Sequence, residues 1–320
     1  MMTRTLSARS ALPVCLLLGG VACSGTPDRS SPGGAAPGAS SHDAGAPAGY
    51  VRYSASTVTV APGTSPQFFE WVAPPAATDA DVVDIVGWQS KGGHHALLYA
   101  TTDVQPVGTV KPWSNDELLQ GHILGGVGGE AGTAIALPQG AVFRLHKGQA
   151  LAIQTHYLNP GSEPLDVSSW LDVKMGEPTA SDVVASTFGN STLTLSVPAQ
   201  STMYQEQLKC TVGQDMRLLM FTNHMHQWGT SASTVLTDST GTPRDLKVDP
   251  VWNPEWTTNA DYTKLTVAAP QVIHAGDILT TTCTYDNTTD GALTVPAEMC
   301  AFAAFFIGPS DLTCLDGKWQ

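Results

Sequence analysis

The chain has 320 residues, 42% hydrophobic and 13% charged, which is enough apolar material for one large core or two ordinary ones. A formal net charge of -13, from 15 Lys and Arg against 28 Asp and Glu, excludes a nucleic-acid-binding surface, because neutralising phosphates requires clustered cations. The 31 Gly and 22 Pro, with abundant Thr, Val and Ser, favour short strands and turns over long helices, so the expected fold class is all-β.

At the N-terminus, Arg4 and Arg9 precede an apolar run over residues 11–22 that is too short to span a bilayer and reads as an export signal. The run ends Gly20-Val21-Ala22-Cys23, like a bacterial lipoprotein cleavage box with Gly where Leu is usual. Residues 1–23 are therefore the expected signal peptide, and either lipidation of Cys23 or ordinary signal cleavage follows. The expected location is the cell envelope or the exterior, with a lipid on Cys23 as the only membrane contact. Residues 24–48 are nearly all Ser, Gly, Ala, Pro and Asp, have nothing to bury, and read as a flexible tether.

Beyond the tether, residues 57–60, 193–197 and 279–285 alternate apolar with polar side chains, as half-buried strands do. Residues 159–162 (Asn-Pro-Gly-Ser), 189–191 (Gly-Asn-Ser) and 238–241 (Asp-Ser-Thr-Gly) read as turns between strands. Strands of this length with frequent turns predict a sandwich or jelly roll, in two domains side by side over 49–188 and 189–320. With Cys15 and Cys23 set aside, the remaining cysteines are Cys210, Cys283, Cys300 and Cys314. An even count in an exported chain points to disulfides, and three pairings are possible. None has the CxxC spacing of a zinc knuckle. Their clustering suggests that residues from about 190 onward form a unit of their own.

Five of the nine histidines fall into three compact groups: Gly93-His94-His95, Gln154-Thr155-His156-Tyr157 and Asn223-His224-Met225-His226. Residues two apart in a strand share a face, so His224 and His226 can present two imidazoles to one ion, on a platform provided by the apolar residues 218–221. Adjacent His94 and His95 can reach one ion only at a strand end or bulge, a freedom that Gly92 and Gly93 supply. Gln154 shares the face of His156. Three imidazoles in one half and two in the other imply two nitrogen-rich metal sites, though imidazole suits zinc, copper, iron and nickel and so does not name the metal. Met299 is either a soft thioether ligand selecting cuprous copper or an ordinary core residue.

Taken together, these groups resemble the copper type II, ascorbate-dependent monooxygenases. The carriers are His94-His95, the stretch 154–157 with Asn159-Pro160, His224-Met225-His226, residues 276–279 leading to Cys283-Thr284-Tyr285, and Glu298-Met299-Cys300. The resemblance implies two jelly-roll-like domains with one copper each, facing one another across a solvent-filled cleft. His94, His95 and His156 would hold an electron-supplying copper, with Gln154 beside it. His224, His226 and Met299 would hold the catalytic copper, where dioxygen meets the C–H bond of a small-molecule substrate, with ascorbate or another donor as reductant. The resemblance also implies the pairs Cys283–Cys300 and Cys210–Cys314.

Two departures bear on substrate. The first half has no cysteine, so packing or metal must stabilise it. Thr222 stands where the peptide-hydroxylating members carry an Arg, and Ala301, Phe302 and Ala303 follow Cys300, which disfavours peptide carboxylates and suggests a less charged substrate. Trp252 and Trp256, read as exposed aromatics, do not discriminate among substrates. The rival reading is a non-catalytic copper-binding or copper-storage lipoprotein. A zinc hydrolase is disfavoured by Met299 and by the lack of an HExxH pattern. His122, His146 and His274 read as surface or structural residues, and His42 lies in the tether.

Overall fold

Two long apolar runs, residues 218–221 (Leu-Leu-Met-Phe) and 301–306 (Ala-Phe-Ala-Ala-Phe-Phe), lack the alternation of half-buried strands, and a strand buried on both faces has that pattern. In the computed structural model, which describes residues 45–114, 121–130, 132–295 and 297–320, both runs lie on adjacent interior strands of the chain's largest sheet. The fold is all-β and sandwich-like, and the helical element among the described residues is the 3-10 turn Pro254–Thr257. Ser41–Gln320 form one compact unit. Cys23, the signal peptide and most of the tether lie outside the described residues.

The large sheet has eleven strands and runs through Val51–Ser54, Ser169–Gly176, Ala80–Gln89, Ala141–Leu145, Val183–Ser191, Ala301–Ile307, Met216–His224 and Thr263–Lys264. A six-stranded sheet, containing Gln67–Ala73, Ala150–Tyr157, Gly93–Thr101 and Gly121–Gly128 in adjacent positions, covers its first part. Ala96, Leu98, Leu124, Leu151 and Ile153 from the smaller sheet pack with Val82, Ile85, Phe143, Leu171 and Val173 from the larger. A four-stranded sheet, Ser201–Thr211, Ile278–Asn287, Gly229–Thr237 and Pro243–Asp249, covers the second part. There Leu236 and Leu279 meet Phe188, Leu218, Phe302 and Phe306.

The period of two explains the double burial. Phe302, Ala304 and Phe306 point into the core of the second half, whereas Phe305, with Leu219 and Met220, points into the core of the first. The Phe305 ring meets Phe143 edge-on at 5.5 Å between centroids. One hydrophobic core therefore crosses the middle of the chain.

The strand Val183–Ser191 runs through the region where the domain boundary was expected. Val183 and Val184 pair in parallel with Ala141 and Val142, and Ala185 to Ser191 pair with Ala301–Ile307. The Gly189-Asn190-Ser191 segment is thus strand and not turn. Its backbone is paired on both edges, by residues 301–303 and 313–315, and the buried Asn190 amide donates to Thr281 Oγ1 at 3.3 Å. Of residues 193–197 only Ser196–Val197 form strand. Ahead of them the Thr192 hydroxyl accepts from Thr194 N and the Asp316 carboxylate accepts from Leu193 N, side-chain bonds that replace a ladder. Residues 58–60, 279–285 and the turn at 238–241 form as expected.

Candidate metal centre

The first histidine group sits where the strand Gly93–Thr101 begins. Gly92 has φ of 84°, and a Cβ there would come within 2.6 Å of the Leu158 carbonyl oxygen, so only glycine allows the chain to enter the strand at this angle. His95 lies directly opposite His156 on Ala150–Tyr157, and the pairing register shifts immediately after His156. The ring centroids of His94 and His156 are 4.5 Å apart, those of His94 and His95 5.0 Å, and those of His95 and His156 5.2 Å. One nitrogen from each ring lies within 4.8 Å of the others.

Hydrogen bonds on the far side of the His95 and His156 rings set which of their nitrogens faces inward. His95 Nε2 donates to Gln154 Oε1 at 2.9 Å, and the Gln154 amide is held in turn by Gln67 Oε1 at 2.7 Å. His156 Nε2 meets Ser65 Oγ at 2.7 Å. The Nδ1 atoms of these two rings are left for a ligand, and His95 Nδ1 stands 2.9 Å from His94 Nδ1. An outer partner that fixes the ring and its tautomer is the usual companion of a metal-binding imidazole. Gln154 thus acts on the centre by positioning His95.

The second group differs from the sequence expectation in one respect. The strand Met216–His224 ends at His224, and His226 lies just beyond it, ahead of a turn. Its ring lies 5.2 Å from that of His224 and nearly perpendicular to it. Two contacts with the segment around Met299 compensate for the lost ladder: His226 Nδ1 donates to the Ala297 carbonyl at 3.1 Å, and His226 N donates to Glu298 Oε1 at 2.5 Å. Nε2 of His226 is the nitrogen left free.

Met299 is anchored by its own backbone. Its N–H donates to Glu298 Oε1 at 2.9 Å, its carbonyl accepts from the Tyr285 hydroxyl at 2.7 Å, and the next residue forms the disulfide Cys283–Cys300. The second disulfide is Cys210–Cys314. Both pairings are those the resemblance implied, and disulfides belong to chains exported into an oxidising compartment.

Three residues important to this centre escaped sequence reading as individuals. Glu298 is fully buried and binds three backbone N–H groups, those of His226, Trp228 and Met299. A lone acid beside Met-Cys was the available signal. Ser65 carried none. Trp252, expected at the surface, is only 5% exposed: it packs in a cluster with Met225, Ala232 and Tyr285, and its indole donates to the His226 carbonyl at 2.9 Å. Thr222 is also buried, opposite Ala303. Elsewhere His122 contacts Asp311 at 2.8 Å, whereas His146 and His274 lie near Asp79 and Asp215 at the surface.

Burial makes these imidazoles poor bases. It lowers His95 and His224 to about 3 and His156 to about 4, with the neighbouring His156 ring adding to the effect on His95 and the His226 ring to those on His224 and His156. Burial likewise drives His94 and His226 downward. Neutral imidazoles are what a metal ion requires. They also imply a pH dependence: an unfolded chain takes up these protons near pH 6.5, whereas the folded chain resists until pH 3 to 4. The metal-free protein should therefore be fully stable above about pH 6.5 and lose stability steadily as pH falls toward 4. Thermal melts of chelator-treated protein across this range test the expectation, and a melting temperature independent of pH would refute it.

Residues 185–314 match the family model of the copper type II ascorbate-dependent monooxygenase, C-terminal domain. This stretch is similar to that domain. The matched stretch contains His224, His226, Met299 and all four disulfide cysteines, while His94, His95 and His156 precede it. Comparison with curated proteins finds no match. Among solved structures, the chain is similar to peptide: N-glycanase F at 10% identity and a TM-score of 0.34, covering 82% of this chain and 97% of the other. A glycosylasparaginase from Flavobacterium meningosepticum is similar at 10% identity and a TM-score of 0.31, over 80% and 97%. Scores this low say nothing about chemistry.

Proposed function

We propose that the protein is an exported copper monooxygenase that hydroxylates a C–H bond of a small organic substrate. The net reaction consumes one dioxygen, two electrons and two protons per substrate, and yields one hydroxylated product and one water. The observation that carries this reading is that the cluster of His94, His95 and His156 reaches the His224–His226 pair through His94, whose ring lies 5.9 Å from that of His226, in a chain whose residues 185–314 match a monooxygenase-family domain.

In this reading His94, His95 and His156 hold one copper, and His224, His226 and Met299 hold the other. When bound, copper supplies one-electron redox chemistry and activates dioxygen. The donor set suits it: neutral imidazoles throughout, and a thioether that favours the cuprous state. The protein's own contribution is positional. Gln154 and Ser65 orient the first set, and Glu298 together with the Ala297 carbonyl orients His226. Ascorbate is the proposed reductant, as one of several possible one-electron donors. The substrate is proposed to carry little charge, because Thr222, Ala301 and Ala303 line the strands next to His224. Cys23 is the proposed site of a lipid anchor.

The test is copper content and ascorbate-dependent oxygen uptake of the chain lacking residues 1–48, in wild type and in Met299→Ala. Wild type should bind two coppers and consume oxygen. The variant should lose at least about tenfold to 100-fold in activity, the range seen when even an outer partner of a metal ligand is disturbed. Two coppers without any oxygen uptake would replace the enzyme with a copper-binding protein, and one copper or none would remove the two-site reading.

A further inference from the structure

The strand Met216–His224 stops at its last residue's imidazole, so Met225 and His226 lie outside the ladder, although the Met225 side chain is fully buried. Carbonyls in such a place need donors from elsewhere. Both are served by one segment, residues 250–262, which links the strands Pro243–Asp249 and Thr263–Lys264. Thr257 Oγ1 donates to the Met225 carbonyl at 3.1 Å, and Trp252 Nε1 donates to the His226 carbonyl at 2.9 Å. Among the described residues the His226 carbonyl has one further donor, Gly229 N at 3.4 Å.

We propose that Trp252 and Thr257 are positioning residues for the second ligand set: by holding the backbone on both sides of His226 they aim its ring. The ligands are those of the copper reading above, on which the proposal rests. A peptide unit is planar, so fixing the two units that flank a Cα fixes the direction of its Cα–Cβ bond. The unit before the His226 Cα is held at both ends, its carbonyl by Thr257 and its N–H by Glu298 Oε1 at 2.5 Å. The unit after it is held at the carbonyl by Trp252. What freedom remains is in the side-chain torsions, and the bond from His226 Nδ1 to the Ala297 carbonyl at 3.1 Å restrains those, leaving Nε2 free.

The segment is braced from within and tied at both ends. Asn253 caps the turn Pro254–Thr257 by accepting from Glu255 N at 3.1 Å, and the Trp252 and Trp256 rings meet edge-on at 5.4 Å. Trp252 N donates to the Thr230 carbonyl at 2.8 Å. At the segment's start, Asp249 accepts from Asn223 Nδ2 at 2.8 Å and from Lys247 Nζ at 3.0 Å; near its end, Asp261 takes the same ammonium at 2.5 Å. Asn223 and Asp249 are both buried, where losing the partner leaves a polar group unpaired, so the anchor resists slipping. Asn223 immediately precedes His224. The element that holds His226 is therefore fastened to the strand that carries His224, and one element sets both histidines of the pair.

The experiment compares wild type with Trp252→Phe, which keeps an aromatic ring and loses the indole N–H, with Thr257→Val, which keeps the shape and loses the hydroxyl, and with Thr257→Ser, which restores a hydroxyl. Copper affinity is read by competition with a chelator, stability by thermal melting, and the His226 ring by NMR of the metal-free protein. Trp252→Phe and Thr257→Val should each weaken the second copper about tenfold and leave the first unchanged, as expected when an outer partner of a ligand is lost, while Thr257→Ser should bind like wild type. In the metal-free protein the His226 ring signals should broaden or split in the first two variants and not in the third. Variants that melt lower yet hold the second copper as tightly as wild type, with unchanged His226 signals, would overturn the positioning role and leave a merely stabilising one. Equal weakening of both coppers would also overturn it, since the effect would not be local to His226. A wild type without a second copper would remove the copper reading, and the NMR comparison of metal-free proteins would then still decide whether Trp252 and Thr257 fix the ring. Should one variant fail to fold, the other carries the same test.

Discussion

Glu298→Ala is expected to release copper from the His224, His226 and Met299 set and to lower stability by about 3–5 kcal/mol, among the largest effects of any single substitution. The carboxylate is fully buried, and it is the acceptor for the N–H groups of His226, Trp228 and Met299 at 2.5, 3.1 and 2.9 Å. Removing it strands three buried donors, each costing about 1–3 kcal/mol before relaxation. It also unties the turn carrying His226 from the segment carrying Met299. Glu298→Gln should cost less, about 1–2 kcal/mol, because one oxygen can still serve His226 and Met299 while only the Trp228 bond is lost. Copper per chain and thermal melting measure both effects. An alanine variant that melts like wild type and retains two coppers would show that this carboxylate does not organise the site.

The two disulfides should separate stability from metal binding. Cys210–Cys314 closes 104 residues of chain and Cys283–Cys300 closes 17. By loop entropy, replacing the first pair with Ala should cost about 4–5 kcal/mol and replacing the second about 3 kcal/mol. The order should reverse for copper. Cys210–Cys314 lies in the apolar core between the sheets of the second half, away from the histidines, whereas Cys300 adjoins Met299. The Cys283→Ala/Cys300→Ala protein should therefore bind the second copper more weakly despite being the more stable of the two. Denaturant unfolding alongside copper titration reads both orders, and equal copper affinity in the two double variants would rule out a clamping role for Cys283–Cys300.

The all-β fold class was legible because Thr, Val, Gly and Pro content and the period-two stretches report directly on backbone preference and half burial. The ligand candidates were legible for a related reason: His-His, Gln-Thr-His and His-Met-His are local patterns whose chemistry does not depend on what the rest of the chain does. Turn composition misled at Gly189-Asn190-Ser191, since small polar residues also suit a strand whose backbone is paired on both edges and whose Asn side chain finds a buried hydroxyl. Strand periodicity misled at His226, because the strand stops at His224 and a buried carboxylate some 70 residues away in sequence, not the ladder, holds the ring's backbone.

By itself the sequence determined the residue types able to hold a soft, redox-active metal, the all-β class and, through the family resemblance, the disulfide partners. Only the tertiary structure decided that one core crosses the expected boundary, that Ser65 and Gln154 bond the rings of His156 and His95, that Glu298 holds the backbone of His226, and that His94 meets His226. The physical reason is range: propensity and periodicity act over a few residues, whereas His94 and His226 lie more than a hundred residues apart and meet only in the folded chain.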